Sequence, residues 1–249
     1  MPDLFPCPSP CGGFILSPTP TVPMEITPRV HRIDKMRGNC YLIARDGLVL
    51  IDTGLPRTAG RISACIARTL HRSVTDLHTI ILTHYHMDHV GNVPALVRAT
   101  GAQVVIHEGD APYLSGEKSM PLPSWPRSLL IRMVKPFLGW SPVRPDILLR
   151  DGDTIAGLTC IHTPGHTPGS ICLFDPEEKV LFSGDTLLTE RGRIQGPSER
   201  SSARQEEATR SLARIASLDF EILLPGHGEP VGPEASARLR EFLAPAQGR

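Results

Sequence analysis

The stretch Thr83-His84-Tyr85-His86-Met87-Asp88-His89 decides how this chain is read. It follows the apolar run 79–82, which reads as a buried strand, so the motif begins where a strand ends. In extended backbone, residues two apart point the same way, which lets His84 and His86 address one ion together. Asp88 and His89 are expected to come around a turn and face a second position. Gathering so many titratable groups in one place is costly to bury unless something offsets it, and metal ligation does so.

Three further residues complete the set, each just past an expected strand. His166 lies in Thr163-Pro164-Gly165-His166-Thr167-Pro168-Gly169, Asp185 in Ser183-Gly184-Asp185-Thr186, and His227 in Pro225-Gly226-His227-Gly228. Glycine beside each lets the backbone turn sharply and approach closely. Strand ends on a common sheet edge would bring all seven residues to one site.

Outward from these motifs the pattern alternates. Strands are expected at 40–44 and 48–51 around the turn Arg45-Asp46-Gly47, then at 79–82 and 104–106. Helices are expected at 59–70, where Ile62, Cys65, Ile66 and Leu70 recur at helical spacing, and at 93–99, ended by Gly101. The second half repeats the rhythm with strands 154–161, 170–174, 179–183 and 222–224 and helices 203–218 and 235–243. Two similar halves predict an α/β chain of two packed sheets with helices outside.

Two segments break the pattern. Residues 1–28 carry eight prolines and are expected to stay extended or disordered, outside any sheet. Met24, just ahead of the expected ordered domain 29–249, is a candidate alternative start of translation. An insert at about 110–145 holds Pro121, Pro123, Pro126, Pro136, Pro142, Pro145, Trp125, Trp140 and the apolar run 129–138. It reads equally as a connector packed on the core or as a lid over a substrate pocket. Residues 129–140 also offer a surface for a homodimer.

Lys plus Arg number 26, equal to Asp plus Glu, so no basic excess favours nucleic acid. No apolar run approaches the roughly 20 residues needed to span a bilayer. The six cysteines are scattered and read as apolar fillers of a reduced protein, which places the expected location in the cytoplasm.

The motif H-x-H-x-D-H followed by distant His, Asp and His resembles the metallo-β-lactamase superfamily. The resemblance covers about residues 30 to 230 and implies a four-layer αββα sandwich of two mixed β-sheets flanked by helices. Carried over residue by residue, it implies that His84, His86 and His166 bind a first divalent ion. Asp88, His89 and His227 would bind a second, and Asp185 would bridge the two. Asp52, in Asp52-Thr53-Gly54, matches a structural aspartate that supports the ligands from behind. The implied cofactors are two zinc ions, with iron or manganese as alternatives. A hydroxide bridging them would attack a carbonyl carbon, and Asp88 could accept a proton.

Asp185 also bears on the branch. The antibiotic-hydrolysing enzymes typically have Cys or Ser there, whereas an Asp is similar to glyoxalase II and the lactonases. Only 22 residues follow His227, too few for the helical domain of glyoxalase II. Leu188 stands where acyl-homoserine lactonases place a tyrosine, which departs from their pattern. The expectation is a hydrolase of a small-molecule ester, thioester or lactone. The alternative is a mononuclear iron oxidoreductase resembling persulfide dioxygenases, followed by β-lactamase or phosphodiesterase activity.

Overall fold

The computed structural model describes residues 24–33, 36–119, 140–196 and 204–244. A first sheet runs β1 (Met24–Glu25), β2 (Val30–Ile33), β3 (Cys40–Arg45), β4 (Gly47–Ile51), β5 (Leu77–Leu82), β6 (Gln103–His107) and β7 (Ile147–Leu149), in that spatial order. Its first four strands pair antiparallel, while β4 through β7 pair parallel. A second sheet has the order Ile222–Pro225 (β14), Val180–Gly184 (β11), Ile171–Asp175 (β10), Leu158–His162 (β9) and Thr154–Ile155 (β8). There β14 pairs parallel with β11 and the other neighbours are antiparallel. A separate ribbon pairs β12 (Leu188–Glu190) with β13 (Arg193–Gln195).

Alternation along the strands builds the layers. In β4, Leu48 and Leu50 point into a core shared with helices α1 (Ala59–Arg68) and α3 (Val93–Thr100), while Val49 and Ile51 point into the space between the sheets. That inter-sheet core adds Tyr41, Ile81 and Val105 from the first sheet and Leu173, Phe182 and Leu224 from the second. The Tyr41 and Phe182 rings meet edge to face with centroids 5.5 Å apart. A third core packs the second sheet against helices α5 (Gln205–Ala216) and α6 (Ala235–Leu243) through Leu212, Ile215, Leu223 and Leu239. The result is the expected helix–sheet–sheet–helix sandwich. Each large aliphatic side chain buried in it contributes about 1.5–3 kcal/mol.

Several expectations change in detail. Residues 154–161 are not one strand but a hairpin, because Ala156 and Gly157 both take positive φ and pair Ile155 with Leu158 across a two-residue turn. Within the proline-rich 1–28, Met24 and Glu25 do join a sheet, as an exposed edge strand on β2, where one unpaired side suits the neighbouring chain. Asp88 and His89 lie on a short helix, α2 (Met87–Val90), rather than in a turn. Of the insert, α4 (Ala111–Leu114) and the stretch from Trp140 are described, and Trp140 and Val143 pack against the first core. The apolar run 129–138, with Pro136, lies outside the described residues, as do residues 1–23.

Parallel pairing of β4 with β5, and of β11 with β14, aligns their carboxyl ends. Asp52 follows β4, His84 to His89 follow β5, Asp185 follows β11 and His227 follows β14. His166 lies in the loop that follows β9, which is antiparallel to β10 and so runs in the same direction as β11, ending at this same edge.

Candidate metal centre

The seven residues singled out in the sequence meet at this edge. His84 Nε2 lies 3.1 Å from His86 Nδ1 and 3.3 Å from His166 Nε2, and those last two atoms are 2.9 Å apart. Beside them His227 Nε2 is 3.3 Å from His89 Nε2 and 3.2 Å from Asp88 Oδ2. Asp185 reaches both groups. Its Oδ2 is 3.5 Å from His166 Nε2 and from His227 Nε2, and its Oδ1 is 3.4 Å from His89 Nε2.

Whether cations fit can be judged from the donors. Three imidazole nitrogens converge with little to share, since each neutral ring has a single N–H. Asp185 Oδ1 is buried with no hydrogen-bond partner, and so is His166 Nδ1. A carboxylate oxygen held out of water needs a positive charge or a donor, and its neighbours here are ligand-type nitrogens. The sets His84–His86–His166 and Asp88–His89–His227 each bring their ligand atoms within 4.8 Å of one another, as does His84–His89–Asp185. The residues fit divalent metal ions.

Protonation agrees. Burial, reinforced by neighbouring histidines, lowers His84 well below its ordinary value, His86 to about 4 and His166 to about 3. These three rings therefore stay neutral at pH 7, the form that ligates. Burial also disfavours a charged His89, yet Asp52 and Asp185 together raise it to about 10. For His227, the hydrogen bond to Asp88 leads the upward shift. Asp88 is half-buried, which pushes its carboxyl up, but His227 and His89 hold it far below the usual range. The carboxylates thus demand positive charge at the side of His89 and His227, which a cation would supply in place of protons.

Supporting contacts fix the tautomers. Asp52 is 2% exposed and accepts from Thr83 N at 2.8 Å, from Thr83 Oγ1 at 2.7 Å and from His89 Nδ1 at 2.8 Å. With Nδ1 donating to Asp52, His89 presents its Nε2 lone pair to the site. Thr83 Oγ1 donates to Asp52 and lies 3.1 Å from His84 Nδ1, so His84 likewise turns Nε2 inward. One carboxylate therefore orients a ligand from each set. Glycine matters by space at Gly226, where a Cβ would collide with Asp185 Oδ1 and His89 Cε1.

Sequence reasoning missed Thr83 and Asp110. Asp110 is fully buried and accepts from Tyr85 N at 3.1 Å, Thr167 Oγ1 at 2.6 Å and Gly169 N at 2.6 Å. It ties the loop of His84 and His86 to the loop of His166, and burial pushes its pKa up to about 6. No motif announces it, although an acid three residues past the end of an apolar strand was a usable hint. Asn39 was also missed; its Nδ2 donates to Pro225 O and Gly228 O at 2.9 and 2.8 Å and holds the His227 loop. Tyr41 Oη donates to the same Pro225 O at 2.7 Å. His107 and His162, given no role from sequence, stack with centroids 4.0 Å apart and belong to none of the three ligand sets. Cys40, Cys65, Cys160 and Cys172 are buried and in no disulfide among the described residues, as fillers should be.

The chain is similar to known proteins over most of its length. The model of the metallo-beta-lactamase superfamily matches residues 33–227. The chain is 31% identical to the probable metallo-hydrolase YflN of Bacillus subtilis, over 83% of this chain and 86% of that protein. It is 32% identical to the human acyl-coenzyme A thioesterase MBLAC2, over 64% of this chain and 59% of that one. Among solved structures, TTHA1623 in a di-iron-bound form superposes with a TM-score of 0.61 at 31% identity, covering 85% of this chain and 98% of the other.

Proposed function

Since the chain belongs to the metallo-beta-lactamase superfamily, we propose that it is a two-metal hydrolase of small acyl thioesters, with esters and lactones as lesser substrates. One observation carries this reading: Asp185 stands within 3.5 Å of ligand atoms from both histidine sets. An acyl-coenzyme A thioesterase among the relatives supports the thioester, and a metallo-hydrolase matched over most of its length supports hydrolysis in general. Zinc is the proposed metal, with iron or manganese as alternatives.

His84, His86 and His166 would hold one ion, Asp88, His89 and His227 the other, with Asp185 between them. Ions bound there would lower the pKa of a coordinated water from about 15.7 toward 7 and polarise the substrate carbonyl. The chain's own side chains do the rest. Asp52 and Thr83 keep His89 and His84 in the tautomers that ligate. Asp88 stays ionised at neutral pH, and its carboxylate can take a proton from the attacking water and pass it toward the leaving thiolate. Beside Asp88 and His227 opens a cavity of about 500 Å³, with Met36, Leu55 and Met87 as its apolar wall. Flexible methionines suit acyl chains of varied shape.

The test is turnover of acyl-CoA and acyl-pantetheine thioesters by zinc-, manganese- and iron-loaded protein, beside a p-nitrophenyl ester, a lactone and nitrocefin. Thioesters are expected to be turned over fastest. Oxygen consumption on a persulfide with no hydrolysis of any ester would overturn the reading in favour of the mononuclear iron alternative.

A further inference from the structure

The cavity beside Asp88 and His227 carries a feature that metal chemistry does not use. The loop 36–39 between β2 and β3 forms one side of it, through Met36, Arg37, Gly38 and Asn39. This loop is held down hard. Gly38 takes φ +75 and lies so close to the Asp88 carbonyl that a Cβ there would collide with it. Asn39 anchors the other end, with its N–H donating to Gly226 O at 2.7 Å and its side chain to Pro225 and Gly228. Arg37 thus rises from backbone fastened to both Asp88 and the His227 loop, yet its own side chain is exposed. It is the one lining side chain of permanent positive charge, among the described residues.

Resting on the thioesterase reading, we infer that Arg37 is a specificity-determining residue that binds a phosphate of the thiol carrier, so that the site selects thioesters of a phosphorylated carrier such as coenzyme A. The acyl chain lies against Met36, Leu55 and Met87, and the carrier leaves the cavity over its rim, where Arg37 stands. A guanidinium presents a planar fork that pairs with phosphate in bidentate fashion. Its fixed backbone leaves only the side chain to be ordered when that contact forms. No bond is made or broken by Arg37; its contribution is to binding.

Binding is measured without turnover, by calorimetry on the zinc-loaded full chain with thioether ligands that cannot be hydrolysed. S-octyl-CoA is compared with S-octyl-pantetheine, which lacks the phosphates, and with an S-octyl-pantetheine whose chain ends in a carboxylate. Wild type is expected to bind S-octyl-CoA about tenfold or more tighter than S-octyl-pantetheine, Arg37→Glu to lose that preference, and Arg37→Lys to keep part of it. Equal binding of the two by wild type, an unchanged preference in Arg37→Glu, or a preference that follows the terminal carboxylate instead would each overturn the inference. Preference for S-octyl-CoA with no hydrolysis of any thioester would leave Arg37 assigned and sink the proposed reaction.

Discussion

Asp52→Asn offers the sharpest perturbation of the site, because one buried carboxylate serves both ligand sets. Asp52 accepts three hydrogen bonds, two from Thr83 and one from His89 Nδ1. An asparagine keeps one oxygen, enough for Thr83 N, and turns an NH2 toward Thr83 Oγ1 and the His89 N–H. The His89 tautomer then loses its acceptor, and one of the carboxylate charges that together raise His89 is gone while Asp185 remains. Losing such a partner behind a ligand typically costs about 10- to 100-fold in metal affinity, which corresponds to about 1.4–2.8 kcal/mol. The loss should concentrate on the ion proposed for Asp88, His89 and His227, since His84 keeps the Thr83 hydroxyl beside its Nδ1. Zinc affinity measured stepwise against a fluorescent chelator resolves the two ions, and the melting temperature of chelated protein shows whether the variant folds. A folded Asp52→Asn protein that binds both ions as tightly as wild type would refute the orienting role of Asp52.

Asp185→Ala should abolish turnover and leave at most one tightly bound ion per chain, read by metal analysis after gel filtration. Asp110→Asn tests the tie between the two loops of the first ligand set. Burial raises Asp110 from an ordinary 3.8 to about 6, so the folded state binds this proton more tightly than the unfolded one. Keeping it ionised therefore costs stability above pH 6, and that cost is relieved as pH falls from about 6 to about 4. Wild type should gain on Asp110→Asn by up to about 3 kcal/mol across that window in paired denaturation curves, and parallel curves would contradict it. His86 and His166 have the opposite sign. Their pKa values are lowered by folding to about 4 and about 3, so below about 6.5 the unfolded state takes up protons and chelated protein should melt progressively lower toward pH 4. Tyr41→Phe removes the donor to Pro225 O and should cost about 1 kcal/mol by chemical denaturation.

Much of this molecule is legible from its residues. The burial of both faces of β4 and the helical spacing of Ile62, Cys65 and Ile66 are written directly in the sequence, because both faces of that strand and one face of that helix are apolar. The proposed ligands are legible for a different reason: four His and Asp residues in one short motif, with three more beside glycines at strand ends, have few other uses. What stays hidden depends on distance in the chain. Nothing near Asp110 announces that its partners are Tyr85, Thr167 and Gly169, and Asn39 shows its purpose only once the His227 loop lies beside it. The hairpin at 154–162 was read as one strand because Ala156, a residue with no turn signature, takes φ +49 there. The strand Met24–Glu25 was missed because the prolines around it outweighed two residues that pair at an edge.

The central claim is that these seven residues hold two ions that act together. Titrating chelated protein with zinc while following hydrolysis of an acyl-CoA thioester tests it most directly. Activity should rise until two equivalents per chain have been added, whereas full activity at one equivalent would contradict a two-ion centre.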